Sequence, residues 1–264
     1  MGARFCILGS GSDGNCALLE TAHARVLVDA GFSARRLAAL LAGVGESFDR
    51  VDAVFLTHEH GDHAAGISAL ARHPHVKVFA NRATARVVQA GLRFRPDWQF
   101  FETGARFRFR DLDVQTFAVP HDAQDPVAFL FAHQADTPEP SVHRLAWLTD
   151  LGHAPQHVRE HIRDADVLVI EANYSPQMLE ADPKRPWSVK QRIRGRHGHL
   201  SNDGARDLLA SIDSPRWRHV VLSHLSRECN SPAAVEAACA GFLAAIHCGF
   251  SIVAPGARSP FFDF

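Results

Sequence analysis

Seven consecutive residues near position 60 carry the side chains best suited to chemistry in this sequence. They are Thr57, His58, Glu59, His60, Gly61, Asp62 and His63. Imidazole and carboxylate groups are the donors that Zn²⁺ and similar divalent cations bind, and donors on one tight turn converge in space. We therefore predict a metal site here. The alternative is a surface loop that is rich in histidine by chance, because the chain holds 17 histidines.

The segments on both sides of this run predict how its side chains are held. Residues 51–56 are mostly β-branched and apolar, which predicts a buried strand that ends at Thr57. Gly61 allows a sharp turn and residues 64–71 have a helical pattern, so Asp62 and His63 are expected at the start of a helix. Rigid scaffolds often carry functional residues between a strand end and a helix start.

The pattern His58-x-His60-x-Asp62-His63 resembles the signature of the metallo-β-lactamase superfamily of binuclear metallohydrolases. The remaining motifs of that superfamily are matched in order and in strand-end context by Asp29, His121, Asp150 and His224. Three further histidines near these motifs lie in polar contexts and are expected to be solvent-exposed: His133, His143 and His153.

The resemblance implies two divalent metal ions, Zn or Mn, that hold a hydroxide between them. It assigns the first ion to His58, His60 and His121. It assigns the second ion to Asp62, His63 and His224. Asp150 is then the ligand that bridges the two ions, and Asp29 supports the ligand loop from behind. Asp62 is also a candidate catalytic residue.

The fold implied by the resemblance is α/β, the four-layer αβ/βα metallo-β-lactamase sandwich. The hydrophobic pattern agrees, because each half of the chain supplies a strand-rich part and a helical part. A length of 264 residues with 46% hydrophobic content suits a single domain over residues 1–264. The polar stretch at 134–141 is expected to be a hairpin connection.

Several classes of protein are disfavoured by composition. No stretch approaches the roughly twenty apolar residues of a membrane span, and the N-terminal residues read as a first strand and not as a secretion signal. Five cysteines without a C-x-x-C pair argue against a disulfide framework. We therefore expect a cytoplasmic enzyme. The glycine-rich run at 9–16 fits G-x-G-x-x-G, but a strand follows it, so a tight turn near the metal site is preferred over a dinucleotide site.

Two further elements resemble the ribonuclease Z branch of the superfamily. The run Gly198-His199-Leu200-Ser201 resembles an element whose histidine contacts the scissile phosphate or assists the leaving group, and Glu171 resembles the carboxylate that orients it. Both are therefore candidate catalytic residues. Ile170 replaces a histidine of that branch. The alternative is that His199 only caps or packs at the start of a helix.

Positive charge is concentrated between residues 184 and 197, although the formal net charge of the chain is −1. The candidate substrate-binding residues in this basic strip are Lys190, Arg192, Arg194 and Arg196. Such a strip next to a phosphate-cleaving site would hold a polyanion backbone, and Trp187 could stack on a base. The alternative is a solvated helix face. A second cluster is interpreted first as surface charge and second as a possible backbone contact: Arg93, Arg95, Arg106, Arg108 and Arg110.

Taken together, the motifs resemble the small bacterial YycJ/WalJ-type exonuclease branch, which is related to ribonucleases Z and J. Arg227 and Asn230 are then candidates for phosphate contact or support of the site. The hypothesis is a binuclear metal-dependent phosphodiesterase, a DNA exonuclease acting from 5′ to 3′ with nucleic acid as its partner and no membrane association. The alternatives are a small-molecule cyclic phosphodiesterase, a thioesterase or lactonase of the same fold, and a nucleic-acid-binding module with a degenerate site. The oligomeric state is left open.

Overall fold

The protein is represented by a computed structural model that describes residues 2–134, 141–213 and 215–264. Two seven-stranded β-sheets pack face to face, and helices lie on the outer side of each sheet. Apolar side chains fill the space between the sheets and both spaces between a sheet and its helices. The predicted four-layer αβ/βα sandwich is therefore confirmed.

The first sheet is formed by the N-terminal strands and one C-terminal strand. In spatial order it contains β14 (Phe262–Asp263), β1 (Arg4–Gly9), β2 (Cys16–Glu20), β3 (Arg25–Val28), β4 (Ala53–Phe55), β5 (Lys77–Ala80) and β6 (Asp97–Phe100). Strands β3 to β6 are parallel, so their C-terminal ends lie along one edge of the sheet.

The second sheet repeats this arrangement in the second half of the chain. In spatial order it contains β13 (Gly249–Ile252), β12 (His219–Ser223), β11 (Val167–Glu171), β10 (Val142–Leu148), β9 (Val127–Gln134), β8 (Leu112–Ala118) and β7 (Arg106–Phe109). Strands β10 to β13 are parallel. Strand β8 runs in the same direction, because β9 is antiparallel to both β8 and β10.

The described residues form eight α-helices. They are α1 (Ala34–Ala42), α2 (Gly61–Ala64), α3 (Arg82–Ala90), α4 (Gln156–Arg163), α5 (Pro176–Ala181), α6 (Trp187–Arg194), α7 (Asn202–Ala210) and α8 (Pro232–Ala245). Side chains that accept a backbone N–H begin several of them, namely Ser33, Asn81, Ser175, Ser201 and Ser231. None of the helices in the described part of the chain is long and apolar enough to cross a membrane.

Some elements differ from the sequence prediction. The helix expected at 64–71 is the short α2 followed by a 3₁₀ stretch at Ala65–Arg72. Strand β6 was not predicted, because its residues are only partly buried and pairing with β5 defines it. Helices α5 and α6 were also missed, since both are short and α6 is largely polar. The hairpin expected at 134–141 consists mostly of residues 135–140, which lie outside the described residues.

Phe55 lies at the centre of the core between the sheets. Its side chain is fully buried, and its ring stacks on Phe79 with centroids 4.6 Å apart. It also meets Phe129 and Phe131 from the second sheet edge-on, at 5.7 Å and 5.6 Å. This strand therefore joins the two sheets through aromatic packing next to the histidine run.

We predict that Phe55→Ala lowers the free energy of unfolding by about 3–5 kcal/mol, because it leaves a cavity that neighbouring rings cannot fill. Urea denaturation followed by circular dichroism measures this loss. Val87→Ala is the matched control, since Val87 is 43% exposed, and we expect a change within about 0.5 kcal/mol. A loss below about 1 kcal/mol for Phe55→Ala would contradict the packing described here.

Candidate active site

Polar residues from both sheets meet at the edge formed by the C-terminal strand ends. From the first sheet, Asp29 follows β3 and the histidine run follows β4. From the second sheet, the residues at or just after the ends of β8, β10, β11 and β12 are His121, Asp150, Glu171 and His224. The fold thus brings together residues that are almost 200 positions apart in the sequence.

The imidazole and carboxylate groups at this edge form ligand sets in which the donor atoms lie within 4.8 Å of one another. One set is His58, His60 and His121, and another is Asp62, His63 and His224. These are the two groups that the resemblance assigns to separate ions. A further set contains His58, His63 and Asp150, and a fourth contains Asp150, Glu171, His199 and His224.

Asp150 lies between the two histidine groups. Its Oδ2 is 3.2 Å from Nε2 of His63, and its Oδ1 is 3.5 Å from Nε2 of His224 and 3.9 Å from Nε2 of His121. The carboxylate is buried. It is therefore placed where one residue can serve both groups.

Asp29 and Thr57 fix the histidines of the first sheet. Oδ2 of Asp29 lies 2.8 Å from Nδ1 of His63, and Oδ1 accepts the backbone N–H of Thr57 at 2.8 Å. The hydroxyl of Thr57 lies 3.0 Å from Nδ1 of His58. Because the Nδ1 atoms face these partners, Nε2 of each ring faces the centre, which is how protein side chains usually orient metal-binding histidines.

The histidines of the second sheet are held in the same way. Nδ1 of His121 is 3.0 Å from the carbonyl oxygen of Gly198, and Nδ1 of His224 is 3.1 Å from Oε2 of Glu171. The amide of Asn173 also donates to the carbonyl oxygen of His224 at 2.9 Å. Glu171 and Asn173 therefore orient His224, the candidate ligand that follows β12.

The hydrogen bonding of several buried atoms at the centre shows whether these residues fit metal ions. Nε2 of His58, Nε2 of His224 and Oδ2 of Asp150 are buried and have no hydrogen-bond partner among the described residues. Buried polar atoms normally have such a partner, and leaving them without one costs free energy. Neutral imidazole and carboxylate are donors for divalent cations, so the residues present fit metal binding.

The electrostatics of the centre are dominated by its carboxylates. Burial alone would lower the pKa of His224, but the carboxylates of Asp150, Asp62 and Glu171 around the ring raise it to about 10. Burial opposes ionisation of Asp150 as well, yet the adjacent imidazoles of His224 and His63 hold its pKa well below the usual range. Metal ions compete with protons for these nitrogen atoms, so the same negative charge favours cation binding.

Three residues of the centre have a strained backbone. Asp29, Asp150 and His224 have φ of 60°, 59° and 58°, and Arg110 is the one other non-glycine residue with positive φ in the described chain. Asp29 and His224 come directly after a strand, and Asp150 comes two residues after one. Residues in this region cost free energy and cluster at functional sites, where the surrounding structure enforces the conformation.

The Glu171 carboxylate connects His199 to the candidate metal ligands. Oε2 lies 3.1 Å from Nδ1 of His199 and 3.1 Å from Nδ1 of His224, and Oε1 accepts the backbone N–H groups of Leu151 and Leu200. His199 is partly exposed, and its ring centroid lies 5.1 Å from that of His121. Glu171 is fully buried, so it acts as a positioning residue and not as a group that touches substrate.

The glycine-rich run at 9–16 supports the centre through residues that the sequence did not reveal. The backbone N–H of Asn15 donates to the carbonyl oxygen of Asp62 at 2.8 Å, and its side-chain nitrogen lies 3.1 Å from Nε2 of His63. Ser10 accepts the backbone N–H of His224 at 2.8 Å. Gly31 permits this close approach, because a Cβ there would lie 1.6 Å from the carbonyl oxygen of Asp62.

The basic strip is only partly available to a substrate. The prediction that Lys190 is a substrate-binding residue of the basic strip is wrong. Its side chain is buried, and the ammonium group donates to the backbone carbonyl oxygen of Glu180 at 2.6 Å. Arg192 pairs with Asp122, which lies beside His121 at the mouth of the site. Residues 187–194 of the strip form α6. Its contacts are made to a backbone carbonyl and to carboxylates of other segments, which the sequence pattern alone could not predict.

The remaining predicted residues lie around the site. Arg194 pairs with Glu180, and Arg196 lies 3.0 Å from His153. Arg227 is exposed and pairs with Asp13 of the glycine-rich loop.

Asn230 is buried and touches none of the candidate ligands directly. It donates to the carbonyl oxygen of Ala172 at 2.7 Å and exchanges hydrogen bonds with Asn202, so it braces the segments that carry Glu171 and His199. None of His133, His143 and His153 belongs to a ligand set among the described residues. His133 was expected to be exposed, but it is buried beside Asp111.

The fold and the site together define a metal-dependent hydrolase of the metallo-β-lactamase class. Residues 24–225 match the family profile described as "Beta-lactamase superfamily domain", and the chain belongs to this superfamily. Divalent metal binding follows from this membership and from the clustered histidine and aspartate side chains.

Two bacterial relatives extend the similarity over most of the chain. The chain is 34% identical over 235 residues to "Exodeoxyribonuclease WalJ" of Streptococcus pneumoniae serotype 2 (strain D39), which covers 87% of this chain and 84% of WalJ. It is 33% identical over 232 residues to "Exodeoxyribonuclease YycJ" of Bacillus anthracis, which covers 87% of this chain and 85% of YycJ. The resemblance to this branch is thus confirmed.

Solved structures with the same fold are more distant in sequence. YhfI from Bacillus subtilis superposes with a TM-score of 0.71 at 16% identity, covering 98% of this chain and 100% of YhfI. A diphosphatase of the PhnP family gives a TM-score of 0.69 at 16% identity, covering 100% of this chain and 98% of that protein. Zn²⁺-bound PqqB from Methylobacterium extorquens gives a TM-score of 0.68 at 18% identity, covering 97% of this chain and 99% of PqqB.

Proposed function

We propose that the protein is a binuclear metal-dependent phosphodiesterase, and specifically a DNA exonuclease acting from 5′ to 3′. The observation that carries the proposal is His199, which lies over the ligand sets and is oriented by the buried Glu171. A partly exposed imidazole in this position suits protonation of a departing oxygen, which phosphodiester cleavage needs. The relatives named exodeoxyribonucleases support DNA as the substrate, and the direction of cleavage follows from the family resemblance.

The roles of the ligand residues follow from their grouping. His58, His60 and His121 would hold one divalent ion, Zn or Mn, and Asp62, His63 and His224 would hold a second, with Asp150 shared between them. Bound ions supply a nucleophilic oxygen at neutral pH and stabilise negative charge on the phosphoryl group. Asp29, Thr57, Asn15 and Glu171 keep the imidazole rings and the Asp62 carboxylate in place.

The residues outside the centre orient the substrate. Because Glu171 engages Nδ1 of His199, Nε2 is the nitrogen that can reach the leaving oxygen or a phosphoryl oxygen. Arg192 sits beside the mouth, and exposed guanidinium groups of Arg194, Arg196 and Arg227 are available for phosphate contacts once a polyanion competes with their carboxylate partners. These contacts would hold the backbone and carry no base specificity.

The proposal is tested by incubating the metal-reconstituted protein with end-labelled double-stranded DNA, matching RNA and a nitrophenyl phosphodiester. We expect stepwise loss of nucleotides from the 5′ end of the DNA, with Asp150→Asn protein as the blank. Cleavage of only the small diester would overturn the nuclease proposal and favour a small-molecule phosphodiesterase. Cleavage of none of the three would favour a thioesterase or lactonase.

A further inference from the structure

A hollow of 340 Å³ lies between α3 and the edge strand β6, outside the metal centre. Its walls include two aromatic side chains of β6, Trp98 and Phe100, and two arginines of α3, Arg82 and Arg86. Arg95, from the segment that precedes β6, completes the rim. Neither the ligand sets nor the basic strip includes any of these residues.

The floor of the hollow is a rigid aromatic platform. Trp98 and Phe100 are two residues apart on β6 and therefore lie on the same face. Their rings are stacked, with centroids 6.5 Å apart and an interplanar angle of 12°. The indole N–H of Trp98 donates to the side chain of Gln89 at 3.0 Å, which fixes the ring. Phe100 is 41% exposed, so a large part of its ring is accessible to a planar partner.

The rim of the hollow is positively charged. Arg82 and Arg86 are one helical turn apart on α3, and both are exposed. The guanidinium of Arg82 lies 4.7 Å from the centroid of Phe100, and its nearest carboxylate, on Glu102, is 4.0 Å away. Among the described residues, no ion pair involves Arg86 or Arg95. An open aromatic ring surrounded by cations suits a polyanion that carries aromatic bases, whereas the centres of protein interfaces are depleted of charge.

The elements that form the hollow are linked to segments of the metal centre. Strands β4, β5 and β6 are parallel neighbours, so Phe100 lies about 10 Å across the sheet from the end of β4. Asn81, which begins α3, donates to the carbonyl oxygen of Asp125 at 2.6 Å. The backbone N–H of Gln124 in the same loop donates to Glu59 at 2.8 Å. That loop starts at His121 and Glu59 belongs to the histidine run, so the start of α3 is linked to the segments that carry candidate ligands of both sheets.

We propose that this hollow binds a single-stranded segment of the nucleic-acid substrate that extends away from the metal centre. One base stacks on Phe100, and Arg82 and Arg86 bind the adjoining phosphates. The inference rests on the nuclease function proposed above. It explains how a centre that fits any phosphodiester can favour a polymer over a small diester.

The test separates stacking from charge. The metal-loaded protein is titrated into a fluorescent single-stranded phosphorothioate oligonucleotide, which resists cleavage, at several salt concentrations. We expect Arg82→Ala/Arg86→Ala to weaken binding and to reduce the slope of log K against log salt by about 1.4, about 0.7 for each lost phosphate contact. We expect Phe100→Leu to weaken binding roughly tenfold without changing the slope, and Phe100→Tyr to retain binding, since only an aromatic ring can stack.

Matched controls make the outcome decisive. Arg35→Ala/Arg72→Ala removes two exposed arginines that line a different hollow, so we expect binding close to wild type. Melting temperatures identify any variant that is misfolded, and if Phe100→Leu is misfolded, the Arg82→Ala/Arg86→Ala variant carries the test. If the wild type degrades DNA but the Arg82/Arg86 and Phe100→Leu variants bind as it does, the inference is overturned and the nuclease proposal stands. If the wild type degrades no polymer, the nuclease proposal itself fails.

Discussion

Asp150→Asn is expected to lower phosphodiester hydrolysis by at least about a thousandfold, more than the loss of one hydrogen-bond donor from an active site usually causes. The substitution preserves the size of the side chain, and asparagine tolerates the positive φ at this position better than alanine does. It removes the negative charge that lies between His63 and His224. We therefore expect the metal content to fall, because two cations close together need a shared anionic ligand.

The measurement combines metal analysis of the purified variant with rates on DNA and on the nitrophenyl diester. Asp166→Asn is the matched control, since Asp166 is also buried but lies at the opposite end of β11, where it accepts the backbone N–H of Arg144. We expect that control to keep its metals and its activity below its melting temperature. An Asp150→Asn protein with full activity and unchanged metal content would refute the binuclear assignment.

His199→Ala is expected to lower kcat on DNA by about 10²–10⁴-fold, the range typical of a lost general acid. The effect should be much smaller on the nitrophenyl diester, because nitrophenolate leaves without being protonated. His199 also belongs to one of the ligand sets, so metal content is measured in the same samples. We expect it to be unchanged, since His199 belongs to neither of the two triads proposed to hold the ions.

The two substrates distinguish the possible roles of His199. Equal losses on DNA and on the nitrophenyl diester, with metals retained, would mean that His199 stabilises phosphoryl charge and does not donate a proton. Loss of metal would make it a ligand. Glu171→Gln is the companion variant, because it keeps the shape of the side chain but removes its charge. We expect a smaller loss of activity that again affects DNA more than the nitrophenyl diester.

The clustering of the candidate ligand residues was predictable from the sequence because many of their signals are local. The run from His58 to His63 places its donors on one turn after an apolar strand, and no distant contact is needed to see this. The single residues Asp150 and His224 were found only because each follows a short apolar segment in the order that the superfamily shares. Parallel strands then carry such strand-end residues to one edge of the sandwich.

Other features depended on contacts between distant segments. Lys190 reads as part of a cationic strip, yet the fold buries its ammonium against a backbone carbonyl of α5. Asn15 reads as part of a glycine-rich turn, yet it holds Asp62 and His63 from 47 and 48 residues away. Strand β6 exists because it pairs with β5. Residue type and spacing determined which chemical groups this protein can bring to a site. Packing decided which charges remain exposed and which side chains support the candidate ligands, because burial and hydrogen bonding are properties of the folded chain.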